Sequence, residues 1–404
     1  MAYVDSQAAL EGRVRHRTPI WFILGVAGTS VCGLLSLGLD LLNGGLVPFM
    51  IAVGLALLPV PLLLAGLLFL DRLEPEPIRY LAFAFLWGAG VSILLAGVLN
   101  TMGLYFITRP VFGPGQGVYV TSTIGAPLIE ETLKGLVLFG MLWFRRRELN
   151  GPTDGIIYAG IVGLGFATLE NVGYYMRALE SHGLAELAQT FVVRGVMSPF
   201  CHPAFTALIG LGVAHAALTQ GWARLLAPAC GWLGSVVLHG LWNGSSAFGL
   251  AGFAVSYTAT LLVIIALIAV TVADRRRVVA VIGRFLPRYA PRGVVTPADI
   301  VMLSTLWARR RARMWARAAG GNPAQQAMSE YQQAATELAM LHRRAARGVH
   351  EPEWFAARRD ALLQLMANAR SSFLQRQPHP GVPPWVRAGE SAFGAVPPAE
   401  PPSG

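Results

Sequence analysis

Between residues 20 and 273 the sequence returns repeatedly to apolar runs of twenty residues or more. Each is long enough to cross a hydrocarbon core roughly 30 Å thick as a helix. In that solvent no backbone N–H or C=O can be left unpaired, so such runs fold as helices rather than as an open sheet. We place eight of them, at about 20–39, 46–70, 80–106, 119–144, 155–176, 190–218, 225–247 and 250–273. The expected fold class is therefore all-α: a polytopic membrane protein of about eight transmembrane helices with a small helical cytoplasmic C-terminal module. Composition agrees, at 54% hydrophobic and 13% charged residues with a mean hydropathy of +0.51.

Arginine placement orients the spans, because basic residues favour cytoplasmic loops. With the N-terminus inside, the cytoplasmic flanks carry Arg13, Arg15, Arg17, Arg72, Arg79, Arg145, Arg146, Arg147, Arg224, Arg275, Arg276 and Arg277. The outer loops carry Arg109 and Arg177. Both termini are thus expected in the cytoplasm, with residues 1–19 as a cytoplasmic segment and 20–273 as the membrane domain. The net charge of +10 comes entirely from beyond residue 273, since basic and acidic residues balance before it. Residues 274–295 read as a basic juxtamembrane linker, with Arg284, Arg288 and Arg292 suited to anionic headgroups. Thr296-Pro297-Ala298-Asp299 is a helix start, expected to run to about Ala319. Asn322-Pro323 opens a second helix and Pro352 a third, so residues 296–374 form the helical module. Residues 375–404 are Pro-rich and read as disordered. The module leaves room for a cytoplasmic protein partner, and no nucleic acid is expected. Cys32, Cys201 and Cys230 lie in apolar segments and suggest neither a disulfide framework nor a cysteine metal site.

The fourth span holds Glu130, Glu131 and Lys134, the last being the chain's one lysine against 31 arginines. Ionisable groups at bilayer depth are costly and mark functional sites by default. Three other spans add Glu170 and Asn171, His202 between Pro199 and Pro203, and His239 with Asn243. Counted from their cytoplasmic edges, Glu130, Glu170, His202 and His239 share one layer, roughly 21–24 Å deep at 1.5 Å per residue. A common layer is what a single site requires. Two neutral imidazoles and a carboxylate with an open position suit catalytic zinc, and His202, His239 and Glu170 would supply them. Glu130 or Glu131 would take a proton from the attacking water and return it to the leaving amine. Depth favours Glu130 for that task. Glu131 then pairs with Lys134, Asn243 faces the developing oxyanion, and Asn171 supports the set. The bland alternatives are a Glu–Lys pair as helix glue, histidines and asparagines that bridge helices, a structural His215 and an Arg194 that snorkels outward.

Together, Glu130-Glu131-x-x-Lys134, Phe166-x-x-x-Glu170-Asn171, the Pro-flanked His202 and His239-x-Leu241-Trp242-Asn243 resemble the motifs of the PrsW family of intramembrane metalloproteases. Asp71-Arg72-x-Glu74-Pro75 and Asp154-Gly155 are similar too, so the resemblance covers roughly residues 20–273. It implies a bacterial cell-membrane protease related to the CAAX prenyl proteases and bacteriocin-processing enzymes. The implied substrate is a membrane-anchored protein such as an anti-sigma factor. By that resemblance Glu130 and Glu131 are catalytic, and Glu170, His202 and His239 bind metal or water. The competing reading of the same charges is a proton- or cation-coupled transporter, against which no inverted repeat is visible.

Overall fold

The described residues of the computed structural model are 20–346 and 352–375. The expected N-terminal segment 1–19 and the Pro-rich tail past residue 375 lie outside them. Every regular element among the described residues is helical, as lipid solvation demands. The chain divides into two compact units, one ending at Asp274 and the other continuing from Arg275.

The first unit opens with α1 (Ile20–Gly44), then α2 (Leu46–Leu57) and α3 (Val60–Leu70), which part at two prolines that remove N–H donors. Beyond the loop 71–77, α4 (Ile78–Leu86) and α5 (Ile93–Gly103) are joined by a π-helical stretch, Trp87–Ser92. The expected Gly/Pro-rich outer loop is instead two short helices, α6 (Arg109–Phe112) and α7 (Pro114–Val120), which meet at Gly113 with φ 83°. A further π-helical stretch, Leu104–Thr108, follows α5, and another, Thr121–Gly125, feeds α8 (Ala126–Phe144). Then come α9 (Pro152–Phe191), π-helical Val192–Met197, α10 (Cys201–Leu218), α11 (Ala223–Gly244) and α12 (Gly249–Phe285), which runs on past Asp274.

Five helical runs among the described residues are long and apolar enough to cross a bilayer: Ile20–Gly44, Leu46–Leu70, Ile78–Phe112, Pro152–Leu218 and Ala223–Arg292. The two longest contain positive-φ glycines, Gly183 and Gly249, and so hold more than one straight segment. The run ending at Phe144 is not among them, because Glu130, Glu131 and Lys134 lie inside it.

Helix α9 is the axis of this unit. Every residue from Asp154 to Thr168 is buried. Small residues make that possible, since glycine lets helix backbones approach closely where lipid supplies no hydrophobic drive between helices. A methyl group added at Gly163 would lie 2.5 Å from the His202 carbonyl oxygen. One at Gly155 would collide with the backbone of Gly210. These contacts lock α10, and with it His202, against α9.

The second unit packs by larger side chains. Helix α13 (Pro297–Leu303) starts as expected, with the Asp299 N–H donating to Thr296 Oγ1 at 3.2 Å and Asp299 Oδ2 accepting from the Thr296 N–H at 2.8 Å. It stops sixteen residues short of the expected Ala319, and α14 (Leu306–Ala346) takes over. The Arg309 guanidinium donates to the Leu303 carbonyl at 2.9 Å and stabilises that break. Helix α14 is itself broken at Gly320 and Gly321, where φ reaches 71°, just before the expected restart. With α15 (Pro352–Gln375) it encloses a core that includes Met302, Met328, Tyr331, Leu338, Met366 and Phe373.

Candidate active site

Two stretches of first-unit backbone are irregular near the polar residues. The first turn of α8 contains Pro127, which has no N–H to give to a preceding carbonyl. In the π register the Ala126 N–H goes to the Thr121 carbonyl, and the Ser122 carbonyl is left for an outside donor. Asn243 supplies it, with Nδ2 donating at 2.9 Å. Expected to face an oxyanion, Asn243 is therefore turned toward this backbone. Between the π-helical stretch Val192–Met197 and α10, a turn at Ser198–Phe200 presents His202 in the first turn of α10.

Lys134 is fully buried and central. Its ammonium donates to Glu131 Oε1 at 2.8 Å, lies 3.1 Å from His202 Nδ1 and 3.7 Å from Glu130 Oε2, and stands 3.7 Å over the Phe166 ring. Glu131 is saturated. Its Oε1 also meets His239 Nδ1 at 2.9 Å, and its Oε2 accepts from Thr206 Oγ1 at 3.1 Å and Ser235 Oγ at 2.7 Å. A carboxylate only accepts, so His239 carries its hydrogen on Nδ1 and keeps its lone pair on Nε2. That nitrogen faces Glu130 Oε2, 3.9 Å away. A carboxylate behind an imidazole is the usual way a metal-binding histidine is oriented.

Glu130 differs from its neighbour. Oε1 accepts from Asn100 Nδ2 at 3.2 Å, while Oε2 is buried with no hydrogen-bond partner. Such a group needs an explanation in a native structure. One ligand atom each from Glu130, His202 and His239 lies within 4.8 Å of the others, and all three residues are buried. The unpartnered Glu130 Oε2 and the Nε2 of His239 are donors that fit a divalent cation such as zinc, and His202 would join them through Nδ1 in place of its present contact with the Lys134 ammonium at 3.1 Å.

Glu170 was expected in the metal set. It instead meets His202 Nε2 at 2.9 Å and pairs with the Arg194 guanidinium. Its place in the assembly is behind His202, as Glu131 stands behind His239. Arg194 Nε donates to Asn171 Oδ1 at 2.7 Å, and its guanidinium carbon lies 3.7 Å over the Tyr174 ring. Arg194 therefore turns inward, where the sequence suggested snorkelling. His215 is exposed and takes no part. Thr206, Ser235 and Asn100 complete the hydrogen bonding of the two glutamates, and no motif in the sequence singles them out. Thr206 follows His202 by four residues and Ser235 precedes His239 by four, so each shares its histidine's face. That spacing was the available signal.

On the cytoplasmic side of the sequence map, the loop 71–77 folds back on itself. The Glu76 N–H donates to Asp71 Oδ2 at 2.8 Å, and the Tyr158 hydroxyl donates to Glu76 Oε2 at 2.6 Å. Burial pushes the Asp71 carboxyl up to about 7, against the opposing hydrogen bond from Glu76. Burial, then the nearby Asp154 charge, raise Glu76 well above the ordinary range.

Residues 76–272 match the sequence profile of the PrsW family intramembrane metalloprotease. Protease PrsW of Clostridioides difficile (strain 630) is 31% identical over 156 residues, which are 39% of this chain and 62% of that protein. Protease PrsW of Geobacillus kaustophilus (strain HTA426) is 28% identical over 181 residues, 43% of this chain and 69% of that protein. Protease PrsW of Bacillus subtilis (strain 168) is 27% identical over 179 residues, 44% of this chain and 72% of that protein. No solved structure matches. The matched segment contains every residue of the cluster from Asn100 to Asn243, so the whole site lies in the part of the chain that is similar to the PrsW family.

Proposed function

We propose that this chain is an intramembrane metal-dependent endopeptidase, with zinc as its metal and a membrane-anchored protein, such as an anti-sigma factor, as its substrate. The observation that carries the reading is the buried group Glu130, His202 and His239, drawn from three helices, with one carboxylate oxygen left without a partner. His202 and His239 would hold the metal, with the unpartnered Glu130 Oε2 beside it and free for the water. The metal, when bound, supplies Lewis-acid polarisation.

The chain's own residues do the rest. Glu130 Oε2 takes the proton of the attacking water as the water oxygen bonds to the peptide carbonyl carbon. When the carbon–nitrogen bond breaks, the same carboxyl returns the proton to the leaving amine. Lys134, 3.7 Å away, moderates the charge on Glu130. Glu131 and Glu170 hold the two imidazoles from behind, and Arg194 compensates Glu170. Burial keeps competing water out, which strengthens each of these interactions.

The test is cleavage of a co-expressed, tagged single-pass substrate. Glu130→Ala and His239→Ala should each abolish it. Intact cleavage in both variants sinks the proposal. An ion flux in proteoliposomes that the same variants abolish, without any proteolysis, would favour the transporter reading instead.

A further inference from the structure

The first segment of α14, residues 306–319, has five arginines and no acid. Two of the five are committed inside the unit. Arg309 is buried, and besides its bond to Leu303 it donates to Thr336 Oγ1 at 2.9 Å. Arg313 donates to Gln332 Oε1 at 2.7 Å. The other three, Arg310, Arg311 and Arg317, are exposed and make no ion pair among the described residues.

At about 100° per helical residue, Arg310, Arg311 and Arg317 fall on one arc with Trp307 and Met314. The opposite arc carries Ala312 and Ala316, which are fully buried. Trp307 is 66% exposed and Met314 51%, and among the described residues from Arg275 on, the third large apolar side chain so exposed is Leu374. The Arg311 guanidinium lies 4.5 Å over the Trp307 ring. Apolar surface left open in the middle of an all-cationic face needs a reason.

We propose that this face docks on the anionic headgroups of the bilayer that holds the chain's own apolar helices. The cations match phosphate in charge. Tryptophan seats at the level of the headgroups, and a basic amphipathic face with an apolar centre is suited to lie in that interface. A nucleic-acid backbone would reward the arginines but not Met314. The tether is also present: α12 ends at Phe285, and residues 286–305 separate it from this face, so the surface is held at high effective concentration near the membrane. The inference is independent of the catalytic reading.

The test uses the full chain in nanodiscs of phosphatidylcholine alone, or with about a third phosphatidylglycerol, followed by hydrogen exchange. Each arginine near an anionic surface is worth roughly a factor of five in binding. Exchange across residues 306–319 should therefore slow by about tenfold or more in the anionic discs. Half-molar salt should reverse most of that protection. R310E/R311E/R317E should abolish it while residues 324–341 keep theirs. If that variant loses the inner protection as well, R310Q/R311Q/R317Q replaces it as the fold-preserving variant. Equal exchange of the wild type in both lipids overturns the proposal. So does protection in phosphatidylcholine discs that appears only on adding an oligonucleotide or polyglutamate.

Discussion

Two clusters of buried carboxylates in the membrane unit are stabilised by opposite means. Around the loop 71–77, Asp71 and Glu76 are satisfied by a backbone N–H and a tyrosine hydroxyl, and burial raises both toward the neutral form. In the membrane layer, Glu131 and Glu170 each touch a cation, Lys134 or Arg194, and each stands behind a histidine. Neutral donors suit carboxyls whose job is to hold a loop. Cations are needed where a carboxylate must stay charged in lipid, since an uncompensated ion there costs several kcal/mol. Glu130 fits neither pattern. It shares Lys134 at 3.7 Å, and its Oε2 accepts no hydrogen bond. Two adjacent glutamates thus differ, one saturated and one with an open oxygen, which is the difference the proposed split between an orienting residue and a reacting one requires.

The strongest break of that comparison is Glu130→Gln. It keeps the shape and removes the base, so cleavage should fall by about 10²–10⁴ while the bound metal stays. Loss of metal together with activity would make Glu130 a direct ligand and move the proton to Glu170. Next in size is Lys134→Met, which leaves Glu131 buried without its cation. Removing one partner of a buried pair costs about 3–5 kcal/mol, so the detergent-purified protein should melt early. Adding Glu131→Gln to that variant should restore part of the melting temperature without restoring cleavage. Lys134→Arg should fail as a rescue, because a planar fork does not fit a site shaped for a point charge.

A smaller effect is expected at Arg194. Arg194→Gln loosens Glu170 and hence His202, and loss of such an outer partner typically lowers metal affinity or activity by about 10–100-fold. Titration of metal back into a chelated sample would measure it. The smallest effect belongs to the loop. A carboxyl raised to about 7 contributes stability that is complete in acid, below its ordinary value, and is lost as pH rises through 7. Thermal melts should therefore decline between about pH 4 and pH 7, and Asp71→Asn should flatten the decline. A stability that rises over that window would contradict the assignment.

Much of the site could be read from the sequence because depth in a bilayer is a one-dimensional quantity. Counting residues from apolar edges puts Glu130, Glu170, His202 and His239 in one layer, and the structure brings those four side chains together. Rotation about each helix axis is not visible in such a count. Depth alone therefore assigns Glu170 to the metal, whereas its carboxylate lies behind His202. It likewise sends Arg194 outward, whereas the guanidinium turns in to Glu170. Asn243 depends on a still subtler cause, a carbonyl freed by the proline at position 127 on another helix. In the C-terminal unit the N-cap at Thr296 and the break before Asn322 follow from local chemistry and were legible. The stop at Leu303 depends on an arginine six residues on, and nothing local announces it.

The central claim is a metal-dependent hydrolytic site built on two imidazoles. Metal analysis of the purified full chain tests it most directly, comparing wild type with His202→Ala, His239→Ala and the surface variant His215→Ala. Close to one divalent ion is expected per wild-type and His215→Ala chain, lost in the other two, with cleavage abolished by chelation and restored by zinc. A wild-type chain that cleaves its substrate without any divalent metal, or a metal content unchanged by both histidine variants, would contradict it.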